Sequence, residues 1–232
     1  MARKGALVGV GTARGHSPAD VIRWPDDPAA HRALDDYLRR VSADPDAERT
    51  AELLLAGRRL NFTGADLSGL DLLGAELSGA DLTDVRMAGV DLYIAWLGFA
   101  QLSGADLSDA DLRKVQASHC RARHAAFRGA DLQKADLSDA NLVGADFNGA
   151  RLQRVSFSGA DLRRTDLRGS HLWTTRLSNA RLAGCDVSGA AGLVLGPIDI
   201  GLDTPRLIDG SELEEWFGAN GAPRVEVYVR AA

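Results

Sequence analysis

Asn61-Phe62-Thr63-Gly64-Ala65-Asp66-Leu67-Ser68-Gly69-Leu70-Asp71-Leu72-Leu73-Gly74-Ala75-Glu76-Leu77-Ser78-Gly79-Ala80-Asp81-Leu82 returns to a large apolar side chain at every fifth residue. The register holds to Val187: twenty-six consecutive units carry Leu, Phe, Met or Val there, with Ala117 and Ala122 the exceptions. A helix repeats its face every 3.6 residues and a strand every 2. A period of five fits neither, so the chain must turn a corner in every unit.

The rest of the unit supports this. Two residues before the apolar centre the side chain is small, as at Ala65, Ala75, Ala80, Ala105, Ala110, Ala130, Ala140 and Ala160. The residue between is most often Asp or Asn. Two turn positions follow the centre, and the second is often Gly, as at Gly64, Gly69, Gly144 and Gly159, with Asp and Asn as further choices. Those residue types suit a corner with positive φ. One five-residue unit cannot bury its single Leu, so the units gain stability only by stacking, and a stack needs caps at its open ends.

The pattern Ala-(Asp/Asn)-Leu-x-x resembles the pentapeptide-repeat family. It is written almost verbatim at Ala65-Asp66-Leu67-Ser68-Gly69, Ala130-Asp131-Leu132-Gln133-Lys134 and Ala140-Asn141-Leu142-Val143-Gly144. The resemblance implies an all-β solenoid, a right-handed quadrilateral β-helix with four repeats per coil and the central and small residues inside. The repeats would then make about 6.5 coils, about 31 Å long at about 4.8 Å per rung.

Three regions follow: an N-terminal loop and helical cap at 1–57, the repeat β-helix at 58–190, and a C-terminal cap or dimerisation segment at 191–232. Asp27 is placed to N-cap a helix with Pro28 at its first position, and Ala30, Ala33, Leu34, Tyr37, Leu38 and Val41 share one face. A second helix is expected from Asp44-Pro45 to Gly57. At the other end, Ser211-Glu212-Leu213-Glu214 reads as a capping box, and Arg224 to Arg230 alternates like a strand. The Gly-rich run Gly9 to Gly15 lacks both the spacing of a dinucleotide fingerprint and the Lys-Ser/Thr ending of a phosphate loop. No run approaches the ~20 apolar residues of a membrane span. Arg-rich basic usage with abundant Ala and Gly points to a bacterial protein, and a cytoplasmic location is expected.

Candidate chemistry is thin. Cys120 and Cys185 both fall on the small inward position, three coils apart, about 16 Å at the same rise. That is beyond the ~7 Å reach of a disulfide. His119, Cys120 and His124 have zinc-ligand residue types, but the unit puts both His on corners and Cys120 inside. No catalytic residue, cofactor or metal is expected. Ala117 and Ala122 should leave a gap in the core, filled by Phe127 or by a bend.

Function must then lie on the surface. Residues 61–112 hold nine acids and one base, whereas 113–190 hold seven acids and 13 bases. Asp71, Asp91, Asp111 and Asp131 occupy one outward column, and Asp66 and Asp106 belong to the column beside it. A negative rod can imitate duplex DNA, which carries one charge per ~1.7 Å. In this respect the chain resembles the topoisomerase-protecting, quinolone-resistance branch of the family, which implies DNA gyrase as a partner. Tyr93, Ile94, Trp96 and Phe99 are large apolar residues in outward slots. Packing of the N-terminal helices there is one reading and a partner-binding patch is the other. Trp173, also outward, would dock the C-terminal tail. The expected function is a non-enzymatic, protein-binding scaffold acting through its rod surface, with topoisomerase mimicry as the alternative. Neither nucleic acid nor membrane is expected as a direct partner, and a homodimer through the C-terminal segment is open.

Overall fold

The computed structural model describes residues 15–43 and 50–228 of the 232. The Gly-rich run lies outside them except for Gly15, as do Asp44 and Pro45. From Ala56 to Ala191, the residue before each apolar centre pairs in parallel with the residue twenty positions later, without a break. Twenty residues per coil at five per side make a four-sided rod. Its sides are named here after Asp66, Asp71, Glu76 and Asp81.

In a unit with Asp before the centre, every backbone amide has a partner, which explains the period. In Ala130–Lys134, Ala130 N–H donates to Phe127 O, closing the preceding turn, and Asp131 N–H donates down to Ala110 O. Leu132 and Lys134 donate up to Arg151 O and Gln153 O. The fifth amide, Gln133 N–H, meets no carbonyl and is taken by Asp131 Oδ1 at 3.1 Å. Apolar centres and small residues point inward and are buried along the rod, with Leu60 and Cys185 near its ends partly buried.

Each turn is type II-like, with positive φ at its second turn position. This holds at every fifth residue from Arg59 to Gly189. Most occupants are Gly, Asp, Asn or a long polar residue, but Ile94 (φ 56°) and Phe99 (φ 60°) also sit there. For a β-branched residue this conformation is an outlier costing about 1–2 kcal/mol. Ile94→Gly should therefore raise the unfolding free energy by about 1 kcal/mol, measured by urea denaturation; a loss of stability would show that Ile94 makes contacts worth more than its strain.

The N-terminal end is covered as its pattern predicts. Helix α1 spans Pro28–Ala43, with Asp27 Oδ1 accepting from Ala29 and Ala30 N–H, and buries Ala30, Leu34, Tyr37, Leu38 and Val41. Tyr37 Oη donates to Asp71 O at 2.7 Å, tying the helix to the first coil. Ahead of it, Arg23 exchanges both backbone bonds with Asp66, and Gly15 does the equivalent across Gly69 and Asp71. The expected second helix is corrected within the described residues. Only a 3-10 turn forms at Ala51–Leu53, Leu55 is buried, and Gly57 N–H donates to Glu76 O. The ladder's demand for a partner strand outweighs local helix propensity there.

At the far end the regular sides lengthen into strands β1 (Thr175–Arg176), β2 (Ala180–Arg181), β3 (Ala191–Leu195), β4 (Ile198–Asp199), β5 (Leu207–Ile208) and β6 (Arg224–Val227). They form two three-stranded sheets, β1-β3-β6 and β2-β4-β5. Helix α2 (Gly210–Ala219) lies between β5 and β6 and buries Leu213 and Phe217. Its N-cap is Asp209, whose carboxylate accepts from Gly210 N–H, so the helix starts one residue before Ser211 and not from a Ser211 capping box. The terminal strand pairs in parallel with β3 of its own chain, Ala191 opposite Arg224 and Val194 opposite Val227, with Val225 buried.

Inside, Phe127 is buried and stacks on Phe147 (centroids 4.8 Å), which meets Phe157 edge-on (5.7 Å). Phe127 shares its coil with Ala117 and Ala122, so one large ring offsets two small centres. Cys120 is buried and Cys185 nearly so; burial pushes both thiols up to about 12, leaving them unreactive. His119 stacks on Phe99 (5.0 Å), an outward contact away from Cys120.

Candidate functional site

Two surfaces were expected to carry function, and the structure treats them differently. The carboxylates of the acidic columns are turned onto their own backbone. Asp66, Asp71, Asp91, Asp106, Asp111 and Asp131 each accept, through Oδ1, the amide two residues ahead, at 2.9–3.3 Å. These are Asx turns. Asp71 and Asp91 are buried, and the other four are only part-exposed. Arginines take up much of their remaining charge: Arg86 lies 3.9 Å from Asp66, Arg151 3.5 Å from Asp131, and Arg113 binds Asp111 bidentately at 2.6–2.8 Å. His16 Nδ1 approaches Asp71 at 3.3 Å.

Three Asp-Leu-Arg triplets share one geometry. In Asp111–Arg113, Asp161–Arg163 and Asp166–Arg168, the guanidinium folds back onto the carboxylate two residues earlier. The Arg168 hydrogen bond holds the Asp166 carboxyl below the usual carboxylate range; for Asp161 burial acts upward, but Arg163 prevails and the shift is again downward. A carboxyl whose folded pKa is depressed contributes stability present above its unfolded value, near 3.9, and lost as pH falls through the folded value. The denaturation midpoint should therefore be level above about pH 5 and fall below about pH 4, with a shallower fall in Asp166→Asn. An unchanged acid limb in that variant would contradict the pairing.

The aromatic cluster is laid out differently. Ile94 is 41%, Trp96 52% and Phe99 64% exposed. Trp96 stands in the Glu76 side, between Glu76 below and Gln116 above. Ile94 and Phe99 occupy the corners on either side of it. Tyr93 is half-buried, with Lys114 Nζ donating to its hydroxyl at 2.6 Å and the Arg113 guanidinium 5.2 Å from its ring centre. Packing by the N-terminal helix is corrected: α1 covers the end of the rod, where its leucines join the core, and no described N-terminal residue covers this side. Trp173 is likewise 55% exposed, not docked under the tail.

A family model described as "Pentapeptide repeats" matches the chain in 8 copies, over residues 61–93, 97–133, 130–169 and 156–191. The chain is a pentapeptide-repeat protein. The right-handed β-helix is the fold this membership implies, in keeping with the twenty-residue pairing. The matched segments break only at residues 94–96, where Ile94 and Trp96 replace the expected turn and Asp/Asn residues.

The solved structures found by comparison include other pentapeptide-repeat proteins. One, from the Arabidopsis thaliana thylakoid lumen, is 27% identical, with 52% of this chain and 76% of that chain covered and a TM-score of 0.42. QnrB1, a plasmid-mediated fluoroquinolone resistance protein, is 22% identical over 63% of this chain and 86% of its own, with a TM-score of 0.34. HetL, involved in heterocyst differentiation regulation in the cyanobacterium Nostoc, is 28% identical over 66% and 90%, with a TM-score of 0.24. No curated protein matches in sequence. Among the described residues no helix is long and apolar enough to cross a membrane.

Two features escaped the sequence. The amide-accepting role of Asp was hidden because it depends on which N–H the ladder leaves over. The Asp-Leu-Arg triplets were visible, but their pairing depends on both side chains leaving the same side of the rod. Asp106→Ala should cost about 1 kcal/mol of stability through its lost turn bond, and Asp106→Asn much less; equal losses would point to a role for the charge itself.

Proposed function

We propose that this pentapeptide-repeat protein is a non-enzymatic binding scaffold that docks a protein partner on the Glu76 side, through Ile94, Trp96 and Phe99 with Tyr93 at the edge. The observation that carries this reading is Ile94: an exposed, β-branched residue kept at positive φ, where glycine would relieve the strain. Backbone strain on a bare apolar patch is commonly retained where the patch is used. Large aromatic groups on an exposed face are the side chains that anchor interfaces.

The rival reading, a DNA mimic acting on DNA gyrase or another type II topoisomerase, needs free carboxylates in a regular array. Here Asp66, Asp106, Asp111 and Asp131 serve turn amides, and three of them also face arginines, which weakens their negative field. The described residues of 1–57 and 191–232 are assigned to end caps. The pairing of β6 within its own chain supports capping over homodimerisation.

A photo-crosslinking residue in place of Trp96 tests the docking face, with one in place of the exposed Arg151, on the Asp71 side, as control. A discrete protein adduct from position 96, absent from position 151, is expected. Equal adducts from both positions would contradict the assignment. A gyrase supercoiling assay addresses the rival: inhibition at micromolar protein that disappears in Asp106→Asn/Asp131→Asn would favour mimicry.

A further inference from the structure

A second surface lies at the C-terminal end of the rod, on the corner between the Asp71 and Glu76 sides. A groove of about 690 Å³ opens there, lined by Lys134, Arg154, Arg176, Leu193, Leu195 and Tyr228. Its position follows from the fold. Lys134, Arg154 and Thr174 occupy the same positive-φ slot in successive coils, about 4.8 Å apart. The register of β1 against β3 sets Arg176 beside Leu195. In β3, Val194 points into the core and leaves Leu193 and Leu195 facing out as an aliphatic floor. Tyr228, whose N–H donates to Val194 O at 2.9 Å, closes one end and is 53% exposed.

The groove gathers cations that, like Arg121, Arg123 and Arg164 elsewhere on the rod, make no ion pair among the described residues. Arg113, Arg128, Arg151, Arg163, Arg168 and Arg181 all meet carboxylates. Among the described residues, no carboxylate pairs with Lys134, Arg154 or Arg176, and none lines the groove. Three uncompensated cations over an apolar floor attract a ligand that is both anionic and aliphatic. A free inorganic anion would leave the floor unused. A nucleic acid strand needs a series of aromatic platforms for its bases, whereas this groove offers Tyr228 at one end and a floor of two leucines. We propose that this groove docks an extended acidic peptide segment of a protein partner, with carboxylates on Lys134, Arg154 and Arg176 and aliphatic side chains on Leu193 and Leu195. The site begins two coils, about 10 Å, from Ile94 on the same corner, and uses none of the aromatic residues of that patch.

Fluorescence anisotropy of a labelled peptide of alternating Glu and Leu, titrated with the full chain, tests this. Saturable binding is expected, weakened at least about 10-fold by Lys134→Glu/Arg154→Glu, as befits loss of close charge pairs. The milder Arg154→Gln and the floor variant Leu195→Ser should each weaken it less, and Trp96→Ala should leave it unchanged. Both reversed residues are exposed, and circular dichroism verifies that the variants fold. No saturation at about 1 mM peptide, a weak limit on the affinity scale, would overturn the proposal. So would equal affinity in the charge-reversed chain, equal competition by inorganic phosphate, or tighter binding of a short DNA duplex.

Discussion

Phe147→Ala should lower the unfolding free energy by about 3–5 kcal/mol, the range for truncating a fully buried ring in a core that cannot collapse around it. Phe147 is 0% exposed and touches Phe127 in one coil and Phe157 across the core. In a linear stack each coil is held only by its neighbours. A weak rung in the middle should therefore also uncouple the two halves, so that urea unfolding broadens and its slope falls as two-state behaviour is lost. The coil below, with Ala117 and Ala122 as centres, has no spare bulk to move into the gap. A loss under about 1 kcal/mol, with the transition still sharp, would mean that the rings are not the linchpin of that region.

Trp96→Ala should weaken partner binding about 30-fold or more, the ~2 kcal/mol or greater effect of removing a central aromatic anchor. Stability should barely move, because the indole is 52% exposed and four of the five amides of its unit bond to backbone carbonyls. Trp96→Ala combined with Phe99→Ala should exceed either single change, since both flank one surface and share a partner. Affinity measured by surface plasmon resonance against the crosslinked partner, beside a thermal melt, separates the two effects. Lost binding together with a lowered melting temperature would move Trp96 from the interface to the scaffold.

How much of this was legible follows from where each feature is encoded. The ladder was readable because its period belongs to no other element, and the positive-φ corners because Gly, Asp and Asn mark them. Helix α1 was readable from Asp27, Pro28 and one apolar face. The segment from Thr50 to Gly57 was misread as helix, because its fate is decided by pairing with Glu76 twenty residues later. The acidic columns were legible as columns only. Whether Asp131 faces a partner, its own turn amide or Arg151 depends on a coil above that linear spacing does not show. The C-terminal groove was invisible for the same reason: Lys134, Arg154, Arg176 and Leu195 meet only once the stack and its cap are built.

The central claim is that partner capture depends on the aromatic side of the rod and not on its acidic columns. Its most direct measurement compares the amount of crosslink-identified partner retained by native protein, by Trp96→Ala/Phe99→Ala, and by Asp106→Asn/Asp131→Asn, which keeps the turn acceptors and removes the charge. The account predicts near-complete loss in the aromatic variant and near-native retention in the Asn variant. Retention by the aromatic variant with loss in the Asn variant would contradict it and return the acidic columns to the centre of this protein's function.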